Sequence, residues 1–457
     1  MSASRSWPNS LRALRHRNFR LYFAGHAVST LGTWVQQVAL AWLVYRLTGS
    51  AALLGITSCV ALLPQLFIGP LAGAWIDRHD KRRLLLASQS LMALQAAVLA
   101  GLTASGLITP ALIVGMSALL GVLSAFDTPL RQSLLSRFVD DRADLPNALA
   151  LNASLFTCSR FVGPPLAGLL LGLTSESLCF ALNALSYLAL VAGLLRVRLA
   201  PGVRASGSMG SVFREGLDYA LRTPGVRRLM LGVLLVNLTA SSYAALLPVF
   251  ARDVFAGDAR TLGWLWGAAG FGSLLSSLFL AQHQDPARLP RIILLSALAS
   301  AGALLAFALS RDLPLSLAAM AVLGFGVTVN NVGTNIVIQS SAPEALRGRV
   351  VSIYTATRFG FDAIGGLLAG LLAARYGGPW AMAAAGALLL VYCAWQGRRR
   401  RPPGTSARGC HWKARRPARC TPCPGRTARS PPARRRPRPR AGTAPAGWPR
   451  SWRRAGR

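Results

Sequence analysis

Twelve long apolar stretches constrain this 457-residue chain more than any other feature of its sequence. A helix needs about 20 apolar residues to cross the hydrocarbon core of a bilayer. The predicted spans are 21–45, 52–76, 84–105, 110–131, 150–173, 177–196, 226–250, 261–281, 291–309, 313–336, 350–374 and 379–396. Because a backbone in lipid must satisfy its hydrogen bonds internally, this pattern predicts an all-α membrane protein with twelve transmembrane helices.

Basic residues are distributed unevenly between the two sets of loops. If the N-terminus lies inside, the inner segments carry 23 Lys and Arg residues, whereas the outer loops carry five. The positive-inside rule then predicts that both termini, including residues 1–20, lie on the cytoplasmic side. An even number of helices agrees with this orientation.

Residues 397–457 differ in composition from the rest of the chain. They hold 20 of the 50 Lys and Arg residues and contain no Asp, Glu, Leu, Ile, Val, Phe or Met. Such a segment cannot bury a core, and we predict a disordered basic tail. It could bind anionic lipid or nucleic acid, but a shifted reading frame in GC-rich DNA also produces this composition, and we favour that explanation. The net charge of +35 therefore does not predict nucleic-acid binding, and we expect none.

A short charged hinge joins the second and third apolar stretches. It reads G-A-W-I-D-R-H-D-K-R-R from Gly73 to Arg83. We predict that Asp77 forms part of a gate, because it could accept hydrogen bonds from a facing helix end or pair with a basic residue in one conformation only. The predicted gating residues are Gly73, Asp77, Arg78, Lys81, Arg82 and Arg83. The alternative is that these basic residues only flank an inner loop.

Ionisable residues inside the apolar stretches are the candidate coupling groups, because charge within a bilayer is costly. Asp127 and Arg131 lie four residues apart on one helix face, and Arg358 and Asp362 repeat this spacing in the opposite order. Each pair could couple transport or simply neutralise itself. We predict a coupling or gating role for Asp127 and a partnership between Asp127 and Arg160. Asp362 is expected near the midplane, where a proton or a cationic substrate would be handled; the alternative for both helix arginines is snorkelling.

Weak internal repeats divide the chain into two halves. A shift of 198 residues aligns Ser154 with Ser352, Thr157 with Thr355, Arg160 with Arg358, Phe161 with Phe359, Gly168 with Gly366 and Gly172 with Gly370. We predict six-helix bundles at 21–196 and 226–396, joined by a cytoplasmic loop at 197–225, with the substrate between them. The predicted helix-packing residues are Gly163, Pro164, Gly168, Gly366 and Gly370.

Six short stretches resemble the bacterial branch of the major facilitator superfamily that includes the enterobactin exporter and macrolide efflux proteins. They are LGTWVQQ at 31–37, LTGS at 47–50, DR at 77–78, DTPLRQ at 127–132, LPNA at 145–148 and LRGR at 346–349. The resemblance implies the major facilitator fold, with two pseudo-symmetric six-helix bundles in a bacterial cytoplasmic membrane. It also implies alternating access driven by a proton gradient. The chain departs from the family at Asp80, where a glycine is usual.

We therefore expect a secondary active transporter, a proton-coupled exporter of small amphiphilic compounds such as drugs or siderophores, that acts as a monomer in the lipid bilayer. The sequence contains no catalytic motif and no P-loop, so we do not expect an enzyme. We expect no cofactor and no metal, because the pair Cys420 and Cys423 lacks a second pair of ligands. Uptake by the same fold is an alternative, as is a non-transporting membrane receptor or scaffold.

Overall fold

The structure, a computed structural model, describes residues 9–76, 78–197, 217–241, 243–283, 285 and 288–399. Within these residues, twelve helices are long and apolar enough to cross a membrane, which confirms the predicted all-α membrane fold. The first six are α1 (Arg17–Thr48), α2 (Ala51–Ile76), α3 (Lys81–Ala104), α4 (Pro110–Leu135), α5 (Leu145–Leu173) and α6 (Glu176–Arg196). The second six are α7 (Pro224–Thr239 and Tyr243–Val249), α8 (Ala259–Gln282), α9 (Leu289–Leu309), α10 (Leu313–Ser341), α11 (Glu344–Tyr376) and α12 (Gly378–Arg399).

Short polar side chains define where several helices begin. Asp80 accepts hydrogen bonds from the backbone N–H groups of Arg82 and Arg83 at the start of α3. The same capping is provided for α4, α6, α8 and α10 by Thr109, Ser175, Asp258 and Asp312. Asp80 stands where the resembled family usually has glycine, so the departure supplies a helix cap.

Helix α7 is interrupted after Thr239 and resumes at Tyr243. The backbone N–H groups of Ala240 and Ser241 both bond to the carbonyl of Val236, and the Ser241 hydroxyl donates to the side chain of Asn237. Hydroxyl and amide side chains that compete for local hydrogen bonds favour such a break. The predicted span 226–250 lies within this interrupted helix, which together with residues up to Val254 is long and apolar enough to cross a membrane.

The two ends of the helices are named here by the loops that they carry. The basic face holds the start of α1, the α2–α3 loop and the α4–α5 loop, and the far face holds the α1–α2, α3–α4 and α5–α6 loops. In the N-terminal half (α1–α6), α1 packs on α5 and α6, α3 on α4 and α6, and α2 on α4; in the C-terminal half (α7–α12), α10 packs on α8 and α9, α9 on α12, and α7 on α11. The largest contacts between the halves join α2 to α11 and α5 to α8.

The predicted boundaries of the two bundles stay predictions. The described residues cluster as one compact unit. Most of the predicted loop at 197–225 lies outside the described residues, as do the first eight residues and the predicted tail beyond residue 399.

One hydrophobic core crosses from half to half, and it lies toward the far face. Its members include Val38, Leu43, Phe250, Leu262 and Phe307. Toward the basic face the described residues form separate cores, one around Phe19 and Leu134 in the N-terminal half and one around Val233 and Tyr354 in the C-terminal half. The halves are therefore packed together at the far face and part toward the basic face.

Gly272 of α8 lies where α8 packs closely against α10 inside the C-terminal half. A Cβ atom there would lie 2.7 Å from the carbonyl carbon of Ala321 in α10. We expect Gly272→Val to lower the melting temperature of the detergent-purified protein, because separating two packed helices costs on the order of 2 kcal/mol or more. Gly302→Val is the matched control, since a Cβ atom at Gly302 meets nothing within 4 Å. Equal melting temperatures for the two variants would contradict this packing.

Candidate functional site

Asp127 of α4 forms the predicted ion pair inside the N-terminal half. Its Oδ2 atom accepts a hydrogen bond from Arg131 Nε at 2.5 Å. Its Oδ1 atom accepts from Gln89 Nε2 at 2.5 Å and from Ser88 Oγ at 3.2 Å, both on α3. The carboxylate is nearly buried, with 8% of its side chain exposed. The pair that the i, i+4 spacing predicts is therefore present, and α3 supplies its further partners.

Arg131 connects this pair to α1 through His26. The guanidinium donates to His26 Nδ1, which places the histidine proton on Nε2 and leaves the ring neutral. His26 is buried and stacks on Tyr22, with ring centroids 5.2 Å apart. Hydrogen bonds therefore connect α3 to α4 through Asp127, and α4 to α1 through Arg131 and His26. We call these residues, Ser88, Gln89, Asp127, Arg131 and His26, the N-half charge network.

A second polar layer lies nearer the far face in the same half. Asn183 of α6 donates to Gln36 Oε1 at 2.7 Å, and Gln36 donates to Gln95 of α3 at 3.3 Å. In the other half, Asn237 and Asn331 bond to each other at 2.9 Å, and Tyr354 donates to the Asn331 carbonyl. These amides therefore serve as hydrogen-bond partners between helices.

Arg160 and Arg358 lie between the halves, midway along α5 and α11. Arg160 Nη2 donates to the hydroxyl of Tyr243, in the opposite half, at 3.1 Å. The predicted partnership of Arg160 with Asp127 is therefore wrong. The reason is geometric, because α5 packs mainly on α1 and α8 whereas α4 packs on α2 and α3.

Asp362 lies in electrostatic range of both of these arginines. Among the described residues it forms no ion pair with Arg358, so the second i, i+4 spacing does not give a closed pair like that of Asp127. The Arg358 guanidinium instead lies 5.0 Å from the ring centroid of Phe359. All three charged side chains are half-buried. We call Arg160, Arg358 and Asp362 the interface charge cluster.

Glycines bring the halves together on the far side of this cluster. A Cβ atom on Gly263 of α8 would lie 3.0 Å from Gly168 Cα and 2.7 Å from the Pro164 carbonyl, both on α5. A Cβ atom on Gly55 of α2 would lie 3.0 Å from Gly370 Cα and 2.8 Å from the Gly366 carbonyl, both on α11. The two contacts are related by the internal repeat, displaced by one helical turn. The fifth predicted packing residue, Gly163, contacts Trp34 of its own half.

Polar contacts reinforce closure at the far face. Tyr45 at the end of α1 donates its hydroxyl to Asp253, and Arg252 lies over the Tyr45 ring at 5.8 Å. Arg260 donates to the Gly172 carbonyl at 3.4 Å. These hydrogen bonds between the halves therefore lie at the far face.

The hinge of predicted gating residues is only partly described. Asp77 lies outside the described residues, so its predicted contact stays a prediction. Arg82 donates to the carbonyls of Leu194 and Leu195 at the end of α6, at 3.1 and 3.0 Å. That end of α6 carries partial negative charge, which a guanidinium stabilises.

An N-terminal segment packs against the N-terminal half at its basic face. The 3-10 helix Asn9–Arg15 lies against the α4–α5 loop, where Asp144 is fully buried and pairs with Arg12, Arg15 and His16. Asn147 accepts from the backbone of Ala13 and donates to that of Ser10, both at 2.9 Å. The LPNA stretch therefore serves as an anchor for the N-terminus.

Comparison with known proteins identifies the family. Residues 9–416 match the family described as transmembrane secretion effector. The chain belongs to this family of the major facilitator superfamily. It is therefore a multi-pass membrane transporter and not an enzyme.

The names of several relatives of this transporter say what those proteins transport. It is 27% identical over 360 residues to the staphyloferrin A transporter of Staphylococcus aureus, which covers 78% of this chain and 90% of the relative. It is 28% identical over 361 residues to the multidrug efflux pump Tap of Mycolicibacterium fortuitum, with 75% and 86% covered. Among solved structures, it is similar to the inward-facing, occupied form of a bacterial homolog of the human lysosomal transporter Spinster, at a TM-score of 0.67 and 14% identity over 86% of this chain and 98% of that one. The last likeness shows the fold alone.

Sequence reasoning missed three residues of the transporter's polar contacts. His26, Tyr243 and Tyr45 each bind a charged side chain distant in sequence. A lone histidine or tyrosine in an apolar stretch carries no periodic signal, and only the packing of its helix shows its partner. The pseudo-symmetric position of Arg160 and Arg358 was the one available clue to the interface charge cluster.

Closure at the far face predicts a disulfide between the halves. A Cβ atom on Gly366 would lie 3.5 Å from Ser58 Cβ in α2, and disulfides join Cβ atoms about 3.5–4.5 Å apart. In a background without the native cysteines, we expect Ser58→Cys with Gly366→Cys to cross-link and to block transport, because the halves could no longer part at the far face.

A pair on the same two helices, toward the basic face, is the control for this cross-link. Cβ atoms on Gly69 and Gly348 meet nothing within 4 Å, so Gly69→Cys with Gly348→Cys should stay reduced. Unhindered transport by the cross-linked Ser58 and Gly366 variant, or no cross-link at all, would refute the closure.

Proposed function

We propose that this transporter exports small amphiphilic compounds, of the drug or siderophore class, in exchange for protons. The names of its relatives, a staphyloferrin A transporter, a multidrug efflux pump and a macrolide efflux protein, support this class of cargo. The proton gradient is the proposed energy source, and no cofactor or metal takes part. The fold supports alternating access, and the names of the efflux relatives support export as its direction.

The N-half charge network is the observation that carries the proposed coupling. Asp127 accepts hydrogen bonds from Arg131, Gln89 and Ser88 at once. These bonds are strong because the acceptor is charged, and a proton on the carboxylate weakens them. Protonation would release Arg131, which also holds His26 of α1. A proton therefore changes the contacts among α1, α3 and α4, which is the differential interaction that a coupled conformational change requires.

The orientation and assembly of the transporter are also part of the proposal. The excess of 23 basic residues over five supports a basic face in the cytoplasm of a bacterium, with both termini there. In this orientation the halves part toward the cytoplasm. Asp77 would then act as the latch that closes this face. The functional unit is proposed to be a monomer that binds its cargo and the lipid bilayer, and no nucleic acid.

The direction and the energy source are tested together in everted membrane vesicles. We expect an amphiphilic xanthene dye, carboxyfluorescein or rhodamine 6G, to accumulate in energised vesicles that contain the transporter, and its accumulation to fall to background when an uncoupler collapses the proton gradient. Accumulation that survives the uncoupler would contradict proton coupling. Movement of the dyes in the opposite direction would favour uptake, and no flux for any amphiphile would favour a receptor or scaffold.

Asp127→Asn separates a coupling role from a structural one. We expect gradient-driven accumulation to fall by about tenfold or more, the loss that about 1.4 kcal/mol produces. Exchange of dye across the membrane without a gradient should persist, since asparagine keeps the shape of the site. Asp312→Asn is the matched control, because asparagine also caps a helix and Asp312 only caps α10. Full accumulation by Asp127→Asn would show that the pair is purely structural.

A further inference from the structure

Two arginines and one aspartate lie at the boundary between the halves. Arg160 and Arg358 both lie in electrostatic range of Asp362, and all three are half-buried. Each guanidinium carries five N–H donors. Among the described residues, Arg160 uses them on the Tyr243 hydroxyl and Arg358 lies against the Phe359 ring. The interface charge cluster therefore has excess positive charge and donors that no described carboxylate occupies.

The other buried acids do not compensate this excess. Asp127 is held by Arg131 inside the N-terminal half, and Asp144 is held by Arg12, Arg15 and His16 at the basic face. Positive charge within a membrane is costly unless it is paired. An arginine there keeps its proton, so the charge cannot be relieved by deprotonation. An anion between the two guanidinium groups would relieve it.

We propose that the interface charge cluster binds the anionic group of the cargo, a carboxylate, sulfonate or phosphate on an amphiphilic molecule. This inference rests on the proposed transport function and names the class of cargo for it. A guanidinium presents a planar fork of donors that matches two oxygens of such a group. Transporters with repeated halves bind cargo near the midplane between the repeats, which is where this cluster lies.

Aromatic side chains near the cluster suit the apolar body of such a molecule. Trp34 lies 6.5 Å from Phe156 and 6.2 Å from Trp266 between ring centroids. Phe156 is 53% exposed and lies one helical turn before Arg160 on the same face of α5. The indole N–H of Trp266 is buried and has no acceptor among the described residues. An apolar surface beside hydrogen-bond donors that have no acceptor among the described residues favours an amphiphile with an acceptor group.

The position of the two arginines also links binding to movement. One belongs to each half, at equivalent positions of the internal repeat. An anion held by both would stabilise the arrangement in which the two side chains converge, and this is how a ligand selects a conformation. Asp362 then weakens anion binding by occupying the same positive field, a role different from the handling of a proton or a cationic substrate that the sequence suggests.

Two xanthene dyes of opposite charge test the proposal on the purified full-length chain in neutral detergent. We expect fluorescence anisotropy to give tighter binding for anionic carboxyfluorescein than for cationic rhodamine 6G. Arg160→Gln and Arg358→Gln should each weaken the binding of carboxyfluorescein by about tenfold, equivalent to about 1.4 kcal/mol, without weakening the binding of rhodamine 6G. Asp362→Asn should tighten the binding of carboxyfluorescein, a gain that a misfolded variant cannot produce.

Arg375→Gln is the matched control, since Arg375 lies at the far-face end of the same helix and contacts its neighbour Tyr376. It should leave both affinities unchanged. The proposal is overturned if carboxyfluorescein does not bind or binds no tighter than rhodamine 6G. It is also overturned if the Arg160 and Arg358 variants weaken both dyes equally, or if Asp362→Asn weakens carboxyfluorescein.

Flux measured in proteoliposomes separates this inference from the proposed function. Arginine-dependent binding of carboxyfluorescein without gradient-driven flux would refute export and keep the anion site. Gradient-driven flux of rhodamine 6G, together with carboxyfluorescein binding that does not depend on the two arginines, would refute the anion site and leave the proposal of export standing.

Discussion

The glycine contacts between the halves are the constraint on which the rest of the structure depends. Gly263 meets α5 and Gly55 meets α11 with backbones in van der Waals contact. Such an approach is available only where side chains are absent, so the halves touch tightly near the far face. Toward the basic face their hydrophobic cores are separate. The molecule is therefore closed at one face and parted at the other, and the N-half charge network and the interface charge cluster lie at and beyond the level where the halves separate.

Buried charge has different partners inside the N-terminal half and between the two halves. Inside the N-terminal half, Asp127 has an arginine and two neutral donors, so its charge is compensated. Between the halves, Arg160 and Arg358 lie in electrostatic range of Asp362, and among the described residues neither forms an ion pair with it. We propose that the first arrangement serves coupling and that the second binds an anion from solution.

Local sequence patterns predicted local structure well. The twelve spans and the Asp127–Arg131 pair follow from hydropathy and from i, i+4 spacing, which act within one helix. The partner of Arg160 could not be predicted, since it depends on which helices pack together, and neighbours in sequence such as α4 and α5 are not the main contacts. The break in α7 was also missed, because polar residues near Asn237 compete with the backbone inside a stretch that remains apolar on average. The repeat that aligns Gly168 with Gly366 marked both as helix-packing residues, but only the packing of the helices shows that their contacts join the halves.

During transport, the two halves exchange closure at the far face for closure at the basic face. Spin labels at Ser136 and Ser340 on the basic face, and at Ser105 and Arg311 on the far face, report this exchange through distances measured by pulsed electron paramagnetic resonance. All four residues are exposed. When a proton gradient and a transported dye are supplied, we expect the basic-face distance to shorten while the far-face distance lengthens. Two distances that stay fixed, or that change in the same direction, would refute this exchange.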